Sequence, residues 1–234
     1  MRDIYDLVQS EIFDKINTSV KVVSASALTS GNQNIEFCNN KWVRVGQYVK
    51  DSSDKLWKVI SISSLGVVTL KKPTGATNIT SKDVLNIVTP KFLFGTHTSA
   101  NNELTLKRQK TNDILPLIWL IENIGEVEYG KQSVIERDSS LRLFFLDDID
   151  PSNGLNEDFR KNVVSPMLNL KDEFLNVVRN NPIFKEYSSV DIRTITRFGN
   201  EKEKGVFENI LNDNLSGVEL RITLNIYKKN KCNC

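Results

Sequence analysis

From Val218 to Ile226 five apolar residues, Val218, Leu220, Ile222, Leu224 and Ile226, alternate without a fault with Glu219, Arg221, Thr223 and Asn225. A period of two puts the two sets on opposite faces of an extended strand, whereas a helix would scatter them around its circumference. A one-residue slip would turn every apolar side chain to water, so the pattern predicts a register-locked strand with one buried face. The chain therefore closes on a sheet, followed by a basic tail, residues 228–234, that carries Cys232 and Cys234.

Three other stretches supply partners for that strand. "LPLIWLIENI", centred on Ile118, Trp119 and Leu120, is a short apolar run fit for a buried strand, and "KQSVIERDSSLRLFFLDDI" continues as strand material. "SVDIRTITRFG" reads as a further strand. Between them Val163, Val164, Met167, Leu168, Leu170, Phe174, Leu175 and Val178 give the apolar face of a helix reaching about Arg179. Asn156 is its expected cap, with Glu157 and Asp158 in the first turn. Pro166 removes a backbone donor and crowds the preceding turn, so a kink or break is expected near Ser165.

The first half has a different texture. Ile4, Leu7, Val8, Ile12 and Ile16 mark residues 3–16 as one amphipathic helix, docked either on its own domain or on a neighbouring subunit. From Val20 to about Phe94 come short β-type runs, "VKVVSA", "NIEFC", "KWVRVGQYVK", "LWKVISIS", "VVTLKK" and "VLNIV", punctuated by Gly, Asn, Ser and Pro. Gly66, between two alternating runs, suits a hairpin turn. "FGTHTSANNELTLKRQKTND" reads as an exposed connection. The expected fold class is α+β, organised as an N-terminal helix (1–19), a small β-barrel or sandwich (20–95), an antiparallel sheet domain with a long helix packed on it (96–227) and the tail.

The composition excludes several function classes. With 31 basic and 29 acidic residues the chain carries no global attraction for nucleic acid or anionic membrane. No apolar run reaches spanning length and the first residues lack the core of a secretion signal, so no membrane partner and synthesis in a cytoplasm are expected. Three cysteines, Cys38, Cys232 and Cys234, are an odd number unsuited to a disulfide framework.

No motif carries a reaction. His97, the single histidine, sits in a polar stretch without an orienting acid or a nucleophile. Cys232 and Cys234 fall short of the four ligands of a structural zinc site. "LDDIDPSNG" places its glycine, Gly154, one position late for a calcium loop and lacks the closing glutamate. "KKPTGATN" lacks the order of a phosphate loop. The expectation is therefore no catalytic residue, no metal and no cofactor. Trp42, Arg44, Tyr48, Trp57 and Lys58, with neighbouring lysines, have the composition of a barrel that stacks bases and contacts phosphates, and equally of a β-domain filling its own core.

The second half, about Thr105 to Tyr227, resembles the tail-terminator and neck proteins of tailed bacteriophages, through "LPLIWLIENI", "LRLFFLDDID", "VVSPMLNLKDEFLNVVRN" and "FGNEKEKGVFENILNDNLSGVELRITLNIY". Its closing "LSGVELRITLNIY" and Cys-rich end look like virion proteins of phages infecting Bacteroides-type hosts, including the crAss-like group. The resemblance implies a virion protein forming a homo-oligomeric ring of six- or twelve-fold type at the head–tail junction. Portal, neck or tail proteins would be its neighbours, and nucleic acid would be met only as the passing genome. Arg142, Asp147, Asp148, Glu219 and Arg221 are the candidate subunit contacts. The β-domain at 20–94 departs from a minimal terminator. The alternative reading is a single-stranded nucleic-acid-binding module using Trp42, Arg44, Tyr48, Trp57 and Lys58.

Overall fold

The computed structural model describes residues 3–110, 115–129, 134–148, 160–195, 200–203, 206–209 and 215–229. Its class is α+β: a closed six-stranded antiparallel barrel, a second and mixed sheet, and a long helix. Helix α1 (Ile4–Glu11) opens the chain, capped by the Asp3 carboxylate, and tightens into a 3-10 turn at Phe13–Lys15. Ile4, Leu7, Val8 and Ile12 are buried, while Tyr5 stacks on Phe92 and leans on Phe94. Of its two expected partners, α1 thus packs on its own chain.

Strands β1 (Ser19–Ala25), β2 (Asn32–Phe37), β3 (Tyr48–Lys50), β4 (Leu56–Ile62), β5 (Val67–Lys71) and β6 (Val84–Ile87) close the barrel in the order β1-β2-β5-β4-β3-β6. Inward positions such as Val20, Ile35, Val49, Val59, Leu70 and Leu85 are buried, and their neighbours along each strand face water. β4 and β5 form the expected hairpin, turned by Gly66 at φ 80°. "KWVRVGQYVK" is not one strand. Lys41 and Gly46 adopt positive φ, so the segment turns twice and only Tyr48–Lys50 joins the barrel.

β7 (Lys91–Gly95) leaves the barrel and runs parallel to β8 (Leu117–Ile121) in the second sheet. The intervening "HTSANNELTLKRQK", expected as an exposed connection, is helix α2 (His97–Lys110), the crossover that a parallel pair requires. β9 (Gly125–Tyr129), β10 (Val134–Asp148), β11 (Phe184–Ile195) and β14 (Leu215–Lys229) complete the sheet in the order β11-β14-β10-β8-β7, with β9 also on β10. All its pairings are antiparallel except β7 with β8. β12 (Asn200–Glu203) and β13 (Val206–Asn209) form a separate hairpin.

Helix α3 (Ser165–Asn180) follows a π turn at Arg160–Val164, with Pro166 in its first turn. Helical hydrogen bonding changes at Ser165, next to Pro166, which has no N–H to donate. The expected cap Asn156, with Glu157 and Asp158, and the turn through Gly154 lie outside the described residues.

One core runs through both halves. Val8 of α1 and Ile12 at its C-cap, Trp42 and Trp57 of the barrel, Phe145 and Leu220 of the sheet, and Met167 and Phe174 of α3 belong to one buried cluster. Polar contacts fasten the same seam: Lys41 meets Glu173 at 3.6 Å, Asn169 donates to the Lys41 carbonyl, and Asn181 donates to the Glu11 carbonyl at 2.9 Å.

Candidate functional site

The two faces of the sheet have different fates. Along β10, Leu141, Leu143 and Phe145 enter the main core with α3, while Phe144 and Leu146 pack with Leu117, Trp119 and Leu215 under Ala100 and Leu104 of α2. Among the described residues α2 covers that end. Beyond it the same face carries Arg142, Ser140 and Asp138 of β10, paired in register with Arg221, Thr223 and Asn225 of β14. The closing strand's alternation records this division, its apolar set lying on the core and its polar set on the open face.

On that open face the polar side chains are ordered by one another. Arg142 and Arg221 lie directly opposite across β10 and β14, and each donates its Nε–H to Glu219 Oε1 at 2.6 Å. Glu219 is 5% exposed, whereas both guanidinium side chains are 44% exposed. Burial works to raise the Glu219 pKa, but the hydrogen bonds from Arg221 and Arg142 outweigh it and hold the carboxyl below its ordinary value. The hydrogen bond to Glu219 in turn raises Arg221.

The network extends along both strands. Ser140 and Thr223 share a hydrogen bond at 3.1 Å, and Asn225 donates to Asp138 and to the Tyr129 hydroxyl, each at 2.8 Å. The hydrogen bond between Tyr129 and Asp138 raises the phenol's pKa. On β11, Asp191 stands opposite Arg221 and accepts from Arg193 at 3.1 Å. A shallow depression crosses this face from Gly125 over Ser140 and Thr223 to Asp191. Such a surface offers a fixed pattern of charge and directional hydrogen bonds, the means by which one protein surface recognises another.

Compared with protein-family models, with characterised proteins and with solved structures, the chain finds no match. Its site has to be read from its own geometry.

Among the candidate subunit contacts, Arg142, Glu219 and Arg221 are brought together on the open face. Asp148 is exposed at the end of β10. Asp147 is not available to a neighbour: it is 0% exposed and forms an ion pair with Arg44 from the barrel. Burial raises its pKa to about 6, against the opposing pull of Arg44 and of the Asp148 backbone N–H. Its role is to tie barrel to sheet.

The residues of the alternative reading divide as well. Trp42 and Trp57 are fully buried, their indole N–H groups donating to the Val88 carbonyl and to Asp51 Oδ2, both at 2.9 Å, so neither can stack a base. Arg44 is held by Asp147. Tyr48 and Lys58 remain exposed on the barrel wall. His97 lies in the first turn of α2, exposed, its ring edge-on to Trp119. Cys38 is exposed and free, and Cys232 and Cys234 lie outside the described residues. Among the described residues no three His, Cys, Asp or Glu side chains are grouped to hold a metal, and no helix is long and apolar enough to cross a membrane.

Sequence reasoning missed the exposed edges of the sheet. β9 is exposed along its whole length, with Val127 and Tyr129 in water, and β11 exposes Val190 and Ile192. Gly125 and the alternating glutamates Glu126 and Glu128 were the available signal, a short strand with no buried face.

Proposed function

We propose that the chain is a structural subunit that closes head to tail into a homo-oligomeric ring at the head–tail junction of a tailed phage, joining portal or head to tail. The observation that carries this reading is the pair of open sheet edges. β9 runs antiparallel to β10, β10 to β14, and β14 to β11, so β9 and β11 run in opposite directions on opposite sides of the β10–β14 pair, with β7 ending the strand order beside β8. A second copy set beside the first in the same sense brings its β11 antiparallel to β9, the better-bonded way of extending a sheet.

That relation is heterologous: one margin meets a different margin, and repetition closes a ring when the rotation per copy divides the circle. Val127 and Tyr129 on one edge and Val190 and Ile192 on the other are exposed apolar side chains that extending the sheet would cover, Val127 beside Asp138 on the open face and Ile192 beside Leu220 on the core face. Exposed edges with apolar side chains are a hazard that monomers usually blunt, and a ring interface removes it. The ordered face around Arg142, Glu219 and Arg221 lies between the two margins, positioned to recognise the ring above or below. The resemblance of the second half to terminator and neck proteins is what supports the head–tail junction in this reading, and a structural rather than catalytic role belongs to the same proposal.

The test is the composition and labelling of virions whose genome encodes this chain. Peptides of the chain in purified particles, with antibody label confined to one level between head and tail, support the proposal. Particles free of the chain overturn it.

A further inference from the structure

The near balance of charge over the whole chain conceals a local excess. Between Ser19 and Ile87 the barrel segment carries nine basic and four acidic side chains. Strand register places part of that excess on one patch of the outer wall. Tyr48 on β3 pairs with Lys58 on β4, which pairs with Lys71 on β5, so the three lie side by side across three strands. The next outward step adds Lys50 opposite Leu56. Three strands span about 10 Å at ordinary spacing.

Two features of this patch are unfavourable for the barrel alone. Lys58 and Lys71 are directly opposed like charges, an arrangement that destabilises a sheet, and neither ammonium has an acidic partner among the described residues. Beside them Tyr48 is 43% and Leu56 52% exposed. Lys50 meets Asp54 at 3.1 Å, with its own side chain half in water and that of Asp54 largely so, and that pair exchanges readily. Buried Trp57 and Val59 lie between the patch residues in sequence and face inward, fixing which side chains point out.

We propose that this wall, formed by Tyr48, Lys50, Leu56, Lys58 and Lys71, binds single-stranded nucleic acid, with Lys58 and Lys71 on adjacent phosphates and the Tyr48 ring stacked on a base. A phosphate backbone is the partner that turns two opposed ammonium groups from a cost into a contact. An exposed aromatic ring beside them is what separates a single strand, whose bases are open to stacking, from a duplex or a simple anionic surface. The inference does not depend on the ring reading. It uses the barrel, not the sheet margins, and replaces the buried tryptophans of the sequence expectation with residues that face solvent.

The experiment is anisotropy of a fluorescent oligothymidylate titrated with the full chain over a salt series, with circular dichroism to check that each variant is folded. Two phosphate contacts on a single strand predict a log–log salt slope of about −1.4 or steeper. K58E/K71E should reduce the slope by about that amount and lower low-salt affinity by tenfold or more. Tyr48→Ala should weaken binding several-fold at every salt concentration without changing the slope. Lys21→Glu, an exposed charge reversal on β1 of the same barrel, is the control and should retain at least half the affinity of the unsubstituted chain. The proposal is overturned if the folded chain binds no oligothymidylate at low salt, if K58E/K71E binds as the parent does, or if anionic lipid vesicles are bound in its place.

Discussion

Burying Asp147 against Arg44 should make the fold less stable at neutral pH than at mildly acid pH, opposite to the usual effect of a paired carboxylate. In the folded chain the group titrates at about 6, against an ordinary 3.8. The folded state therefore binds its proton more tightly than the unfolded state. The stabilisation this gives is present in full below 3.8 and is lost as pH rises through about 6. With one pKa unit equal to about 1.4 kcal/mol, ionising the buried group costs about 3 kcal/mol in full, of which roughly half is added between pH 5 and pH 7.5. Glu219 and Asp51, both held below their ordinary values, shift stability the other way, but only as pH falls through the acid range below this window. The perturbation is Asp147→Asn, which keeps the shape and removes the titration. Urea unfolding of wild type and variant at pH 5 and pH 7.5 should show wild type losing roughly 1 kcal/mol relative to the variant between the two values. Parallel pH dependence in the two proteins, or a wild type that gains relative to the variant as pH rises, would refute the reasoning.

Further outcomes follow from single contacts. Gly217→Ala should lower stability by about 3 kcal/mol or more in a urea titration, because the added carbon would sit 1.9 Å from the Phe145 carbonyl oxygen, a backbone atom that cannot turn aside. Asp51→Ala should cost about 2–3 kcal/mol in the same assay, since it strips the Trp57 indole N–H of its acceptor and frees the backbone N–H groups of Ser53 and Lys55. Glu219→Ala should cost about 1–2 kcal/mol, a figure discounted for the half-exposed arginines, because it leaves Arg142 and Arg221 facing each other without a carboxylate between them. The part due to Glu219's charge should fade as wild type is acidified below its ordinary pKa.

The sequence displays those elements whose two faces differ. β14 is readable because its apolar set meets α3 while Arg221, Thr223 and Asn225 lie on an open surface. β4 and β5 are readable because a barrel wall has the same inside and outside. α2 is not, since among its described side chains only Ala100 and Leu104 reach the core and the others are polar, rich in Thr and Asn, which favour helices weakly. β9 has no buried residue and so no apolar face to read, only the alternation of Glu126 and Glu128. β7 follows the barrel strands at the same short spacing and resembles them in composition, and only its parallel pairing with β8 assigns it to the sheet.

The candidate site was half visible for a related reason. Arg142, Glu219 and Arg221 could be named because strand alternation sets them outward, but their convergence on one carboxylate depends on the β10–β14 register, a relation between residues nearly eighty positions apart. Asp147 was placed at the surface by its charge, whereas its partner Arg44 comes from the other half of the chain. Trp42 and Trp57 carried a double meaning in sequence that burial resolves in favour of the core.

The native mass of the purified chain across a concentration series, read by light scattering, bears on the sheet-margin ring more immediately than any variant. With a protomer of 26.6 kDa, a closed ring of six gives about 160 kDa and one of twelve about 320 kDa. A single discrete species at one of these masses, dissociated by Ile192→Lys on the β11 edge, is the expected result. A chain that stays at 26.6 kDa up to the highest concentration, or one that grows without a limiting mass, would contradict it.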